Sequence, residues 1–394
     1  MLRNTFSLKK WLGAIAIAAG VLAPVNQSAS ALELFDDVDL PTLSLPDGEN
    51  GGPDFGGWTN YGYRGDSESR FNLNFNDNQS QFGSQQRHGL NQLWFYLEQV
   101  ADGSDGVGYG YRADVMYGLD ADDTVAFGAS NSFDNRHNFN HGIYGFAIPQ
   151  LYGEVAYGDW SMKAGHFYTL VGYEVVPATG NFFYSHAYTM FNNEPFTHTG
   201  VLSTYKASEN VTLYNGYTLG WDTGFDRFDD GGNFLGGASV GVGDNLTVTY
   251  ILTVGDLGWR GEGYSHSIVA DFALTDKWNY VFQTDLVETN SAAAGDPNGD
   301  HQFAFNQYLF YTINDKLKAG LRAEWWKTGG GAWTTAAFGA PTGSLDIYEV
   351  TAGLNIAPMD NVMIRPEVRH DWSGDFLGTS INYTTAAVDV IVSF

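Results

Sequence analysis

Short and long connections alternate along this chain, and few folds accept that arrangement. From Trp58 to Phe394 the sequence reads as sixteen segments in which apolar and polar positions alternate. Period-two alternation puts successive side chains on opposite faces of a β-strand. The links at 101–106, 158–159, 208–210, 243–245, 275–277, 314–315 and 358–361 are tight. Between them lie long links at 66–87, 120–149, 170–199, 222–232, 255–261, 289–300, 327–343 and 372–382. A sandwich in water also alternates its faces, but nothing in it requires every long link to fall at one end. Long loops on one rim and tight turns on the other are the layout of an up-and-down transmembrane barrel. The expected fold is therefore all-β: an antiparallel transmembrane β-barrel of about 16 strands over residues 58–394. In hydrocarbon, a closed barrel is the only sheet that pairs all its backbone groups.

The two faces are distinct in sequence. In the last segment Ala386, Val388, Val390, Val392 and Phe394 share one face, and Thr385, Asp389 and Ser393 the other. Val362, Ile364, Pro366 and Val368 alternate with Arg365, Glu367, Arg369 and Asp371. Tyr109, Tyr111, Ala113 and Val115 oppose Arg112 and Asp114. Gly158-Asp159 suits a two-residue hairpin. That register sets Tyr157 opposite Trp160, Val155 opposite Met162 and Glu154 opposite Lys163, with apolar and charged pairs on different faces. Trp160, Trp278, Trp325 and Tyr157 lie near segment ends, where aromatic girdles sit; ordinary packing would place them there too.

Upstream, Arg3, Lys9 and Lys10 precede an apolar run from Trp11 to Val25 and the small-residue site Ala29-Ser30-Ala31. Residues 1–31 thus read as a secretory signal peptide. Residues 32–57 are acidic, contain Pro and Gly, lack periodicity, and read as a flexible lead. The net charge is −26; removing three basic signal residues and no acidic ones gives −26 − 3 = −29. A charge of that sign excludes nucleic acid as a natural partner. The chain has no Cys, so no disulfide braces it. No run approaches the roughly twenty apolar residues of a membrane-spanning helix.

The C-terminal Phe394, on the apolar face of the last segment, resembles the signal that outer-membrane barrels present to their assembly machinery. Further stretches carry a family resemblance: LNQLWFYLEQ (Leu90 to Gln99), YRADVMYGLDA (Tyr111 to Ala121), KAGHFYTLVGYEVV (Lys163 to Val176), NFFYSHAYTMFN (Asn181 to Asn192), PFTHTGVL (Pro195 to Leu202) and GWD (Gly220 to Asp222). In this order they resemble the second, OmpL-like family of beta-barrel porins, over roughly the first half of the exported chain. The second half matches only as barrel pattern. The resemblance implies a Gram-negative outer-membrane porin, a water-filled channel for passive diffusion of ions and small hydrophilic solutes. It supplies no substrate. Alternatives are a substrate-specific channel for a sugar or small anion, and a non-conducting surface scaffold. The expected surroundings are outer-membrane lipid, and a homotrimer is compatible with such a barrel.

The expected pore lining is charged. Arg112, Lys163, Arg365 and Arg369 share the inward face with Asp114, Glu154, Glu367 and Asp371, and Arg322 and Glu324 join them. Arg365 and Arg369 flank Glu367, which would leave one arginine free to act on passing ions, as charged rings do in channels. The link 170–199 is long, rich in aromatics and without Lys or Arg. Such a link is expected to fold inward, with Glu174 and Glu194 as the acidic side of a constriction facing wall arginines. An outer lid or a subunit contact is the competing placement.

Other chemistry is weakly marked. Gly237-Ala238-Ser239-Val240-Gly241 matches a nucleophile elbow, but that motif needs a strand-to-helix turn and here falls inside a strand segment. His137 and His141 lack metal-ligand spacing. Asp296, Asn298 and Asp300 imitate a calcium loop, yet His301 and Gln307 stand where it needs Gly and Glu. No catalysis, cofactor or metal site is expected. The acidic outer links, with Asp226, Asp229 and Asp230, leave room for loose Ca²⁺ binding.

Overall fold

The computed structural model describes residues 52–65, 88–126, 144–226, 230–290, 299–330, 344–374 and 382–394. The expected signal peptide, most of the lead, His137, His141, Asp229, Asp296 and Asn298 lie outside them. Seventeen strands form one sheet, each pairing antiparallel with its neighbours. They are β1 (Asp54–Arg64), β2 (His88–Gln99), β3 (Val107–Gly118), β4 (Gly145–Ala147), β5 (Leu151–Tyr157), β6 (Trp160–Tyr168), β7 (Thr197–Ser208), β8 (Val211–Thr218) and β9 (Gly232–Val242). The wall continues with β10 (Leu246–Asp256), β11 (Glu262–Ala273), β12 (Trp278–Thr289), β13 (Asp300–Asn314), β14 (Leu317–Gly330), β15 (Ser344–Met359), β16 (Val362–Ser373) and β17 (Asn382–Ser393). The sheet closes because β1 pairs with both β2 and β17.

Strands β4 and β5 both pair with β3 and are two pieces of one wall position. Pro149 falls between them and has no N–H for the ladder. The wall is thus a closed antiparallel barrel of sixteen positions.

The hairpin at Gly158-Asp159 has the expected register, with Tyr157, Val155 and Glu154 opposite Trp160, Met162 and Lys163. Gly158 sits at φ 55°, a conformation that glycine adopts without steric cost. The start of the barrel differs from expectation. β1 starts at Asp54, inside the presumed lead. The reason is closure: Gly57 and Phe394 exchange backbone bonds of 3.0 and 2.9 Å, a partner supplied from the far end of the chain.

The strands have one exposed apolar face and one buried polar face. Val368 is 51% exposed and its neighbour Arg369 2%; Tyr109 is 72% exposed and Asp114 0%. Near the tight turns the exposed Tyr157 and Trp278 stand at the rim, and the Trp278 ring packs tilted against Tyr311 at 4.5 Å. Among the described residues no helix is long and apolar enough to cross a membrane.

Candidate functional site

Residues 169–196 leave β6 after Tyr168 and rejoin the wall at Thr197. Their anchors lie on strands distant from both ends. Arg322 of β14 is the most heavily engaged. Its guanidinium donates to Glu174 at 2.8 Å, to Glu349 at 2.5 Å, and to the backbone oxygen and Oγ of Ser185 at 2.6 and 3.0 Å. Arg365 of β16 holds Asp389 at 2.5 Å and donates to the carbonyls of Ala178 and Asn181 at 2.9 and 2.7 Å. Arg369 binds Asp371 at 2.8 Å and the carbonyl of His186 at 2.5 Å. Glu367 accepts the backbone N–H groups of Tyr184 and Ser185 at 2.8 and 3.1 Å. From β2, Gln92 donates to the Val176 carbonyl and accepts the Ala178 N–H.

A short helix, α1 (Tyr188–Asn192), lies within this connection. Five residues do not hold a helix in isolation, and Ala187 at its N-cap has no side-chain oxygen to offer. The wall supplies what the sequence omits. Glu324 of β14 accepts the N–H groups of Tyr188 and Thr189 at 2.7 and 2.8 Å. At the other end Arg260 donates to the Asn192 carbonyl. A carboxylate at the N-terminus and a cation at the C-terminus match the helix dipole. The Tyr188 ring stacks on Trp326 at 5.9 Å, lies under Arg369 at 4.9 Å, and its hydroxyl reaches Asp371 at 2.9 Å.

Three consecutive aromatics seat on three wall glycines. A Cβ on Gly320 would stand 2.3 Å from the Phe182 ring, one on Gly353 would stand 3.2 Å from Phe183, and one on Gly62 would stand 1.9 Å from the Tyr184 hydroxyl. These strand glycines are close-approach positions. Phe183, Tyr184, Tyr188 and Phe196 are buried, whereas Tyr173 and Phe182 keep part of their surface.

The remaining expected residues divide. Arg112 pairs with Asp114 at 2.8 Å and Glu98 at 2.9 Å. Lys163 faces Glu154 in register, but its ammonium lies over the rings of Tyr152 and Phe167 at 5.2 and 4.8 Å. The notion that Glu367 leaves one flanking arginine free is wrong. Arg365 stands directly across from Asp389 on the next strand, and both arginines have carboxylate partners. Same-strand spacing could not reveal that neighbour. Glu174 does meet an arginine. Burial alone would raise its carboxyl, but the Arg322 charge, His186 and the Ala187 N–H hold it down at about 2. Among the described residues Glu194 meets no arginine within ion-pair distance. Gln283 donates to it at 2.6 Å, and burial together with the Asp285 charge pushes its carboxyl well above the usual range. Glu349, Asp389, Gln283 and Asp285 were not among the expected site residues. Ser239 lies mid-strand in β9, bonded to Thr249 at 2.9 Å, with no elbow around it. Asp300, the described member of the calcium-like run, is paired with Arg260.

The model of a family described as "Putative beta-barrel porin-2, OmpL-like" matches residues 53–394. The chain belongs to this porin family. No curated protein matches the sequence. Solved structures similar to this porin include the outer membrane channel DcaP of Acinetobacter baumannii, 12% identical, TM-score 0.55, covering 88% of this chain and 99% of that one. An outer membrane protein of Vibrio cholerae, OmpT in its trimer form, is 10% identical with TM-score 0.54, covering 87% and 99%. An anion-selective porin from Comamonas acidovorans is 10% identical with TM-score 0.55, covering 87% and 99%. At these identities the likeness speaks for the shared fold.

Proposed function

We propose that this porin is a passive diffusion channel of the outer membrane in which residues 170–196 cross the lumen and set its narrowest section. One observation carries the reading. The connection starts between β6 and β7 yet is bonded to the polar faces of β2, β14 and β16, which lie elsewhere around the closed ring. In this reading the buried Glu174, Glu194, Arg322, Arg365, Glu367 and Arg369 fix where the connection sits, and the partly exposed Arg112, Glu154 and Lys163, with Asp114 behind Arg112, stand on the water-filled path. The channel favours cations. The net charge of −26 supports that preference, and Arg112, Arg260, Arg322, Arg365 and Arg369 are each offset by a carboxylate partner. Burial of most aromatics in the connection supports anchoring over a sugar-stacking track. The Phe394 ring packs on Phe95 at 5.5 Å and is available as the assembly signal. A trimer, the form named for one structural relative, is the proposed assembly.

The test is single-channel recording in planar bilayers. Deleting residues 181–192 should raise conductance several-fold, and a salt gradient should give a reversal potential of cation-selective sign. Unchanged conductance would remove the connection from the pore; no conductance by either protein would leave a scaffold barrel.

A further inference from the structure

Between the connection and the wall strands β1, β2 and β16 lies a recess of about 30 Å³. A water needs roughly 10–15 Å³ of such space, so the recess takes a group of two or three heavy atoms. Asp120, just past the end of β3, lines it. The residue keeps part of its surface open. Its carboxylate has one hydrogen-bond partner among the described residues, Gln92, whose Nε2 donates to Oδ2 at 2.8 Å. The ion pairs among the described residues do not include Asp120. Other polar groups on the lining are already engaged within the protein. Asn60 donates to Asp389 at 2.6 Å, Gln92 donates also to the Val176 carbonyl at 2.8 Å, and Arg365 holds Asp389 and two backbone carbonyls. His186 is bonded to Glu174 at 2.9 Å. Much of the remaining lining is aromatic or apolar, with Tyr184, Met190, Phe191 and Phe196. The rings of Phe191 and Phe196 meet edge to face at 5.4 Å.

This lining selects among possible occupants. An anion would meet the Asp120 charge and donors engaged elsewhere. A neutral polyol needs donors as well as acceptors. A bare metal ion would find the Asp120 carboxylate but not the roughly six oxygens it requires, because the amide oxygens of Asn60 and Gln92 accept bonds from Asn91, Trp58 and the Ala178 N–H. A protonated amine matches what is left. Its N–H groups give Asp120 a charge-assisted partner, its charge is attracted to aromatic faces, and its carbon chain suits an apolar wall.

We propose that Asp120, with Tyr184, Met190, Phe191 and Phe196, forms a binding site for the ammonium head of a small alkylamine. The proposal names a solute class for the cation-preferring channel and rests on that reading for how the amine arrives. Binding itself is tested without conductance. The full exported chain is refolded in detergent and mixed with ethylammonium chloride at constant ionic strength, and saturation transfer from protein to ligand protons is recorded by NMR. A dissociation constant on the order of 1 mM is expected, near the ceiling for a ligand of so few atoms. Ethanol, the neutral analogue, and tetraethylammonium, which exceeds the recess, should each bind at least tenfold more weakly. Asp120→Asn keeps the shape and removes the charge, so it should weaken ethylammonium at least tenfold, while Asp271→Asn on β11 leaves binding unchanged. Equal transfer to ethylammonium and ethanol on the wild-type protein would overturn the site, whether or not the variant refolds. So would equal binding by Asp120→Asn and wild type, or no transfer at about 10 mM, tenfold above the expected constant. A barrel that binds ethylammonium through Asp120 but does not conduct keeps the site and loses the channel; one that conducts cations without binding ethylammonium loses the site alone.

Discussion

Two neighbouring stretches of the wall that holds the 170–196 connection treat charge differently. On β14, β16 and β17, buried Arg322, Arg365 and Arg369 each meet a carboxylate and also donate to the connection's backbone. Glu324 and Glu367, the carboxylates with no such partner there, receive backbone N–H groups instead. Charge on this side is consumed in holding a segment of irregular backbone whose polar groups would otherwise be buried unpaired. At β12, Asp285 and Glu194 of the connection share the Gln283 amide, and the ion pairs among the described residues include neither carboxyl. The contrast separates arginine-paired charges that hold the connection from carboxyls held by a neutral amide.

The contrast can be broken most forcefully at Arg322. Arg322→Met removes the arginine shared by Glu174 and Glu349, leaving them only His186 and, at 3.8 Å, Arg369, and should cost about 3–5 kcal/mol, the usual penalty for breaking a buried charge pair. Denaturant titration of the refolded barrel measures it. A loss near zero would show that the arginines do not hold the connection.

A smaller effect is expected at the glycine seats. Gly320→Leu must displace the Phe182 ring, an overpacking cost of about 1–3 kcal/mol. Limited proteolysis should then cut within 170–196, whereas Gly153→Leu, where an added Cβ has nothing within 4 Å, should leave the pattern unchanged. Equal behaviour of the two would mean that the aromatics are not seated on the wall.

The mildest test is acid. The Glu174 carboxyl is depressed from 4.5 to about 2, so its stabilising contribution is present above pH 4.5 and is lost as pH falls from there through about 2. Glu174→Gln should flatten the stability profile in that window. A variant with the wild-type slope would show that Arg322 and Glu174 do not interact as a charge pair.

Much of the barrel was legible in the chain. The hairpin at Gly158-Asp159, the faces of β3, β16 and β17, and the alternation of long and tight links all follow from period two and local turn chemistry. β4 was not foreseen: residues 145–147 fall inside the link expected at 120–149, and Pro149 separates them from the segment expected from Gln150. Glu174 could be picked out because an aromatic link without basic residues stood out. Asp285 could not, because it is one of several polar residues alternating along β12.

The sequence by itself decided which residues form strands and which face each side chain takes, because both depend on contacts one or two residues apart. Only the tertiary structure decided who meets whom. Arg365 finds Asp389 24 positions away, Glu324 caps a helix 136 positions before it, and β1 extends back to Asp54 because Phe394 lies beside Gly57. Those partners are set by how the ring closes and how strands shift past one another, which no local pattern records. The connection 170–196 depends on them throughout. Its helix is too short, its N-cap is an alanine and its backbone is irregular, so every polar group it buries must be matched by a wall that exists only once the barrel has closed.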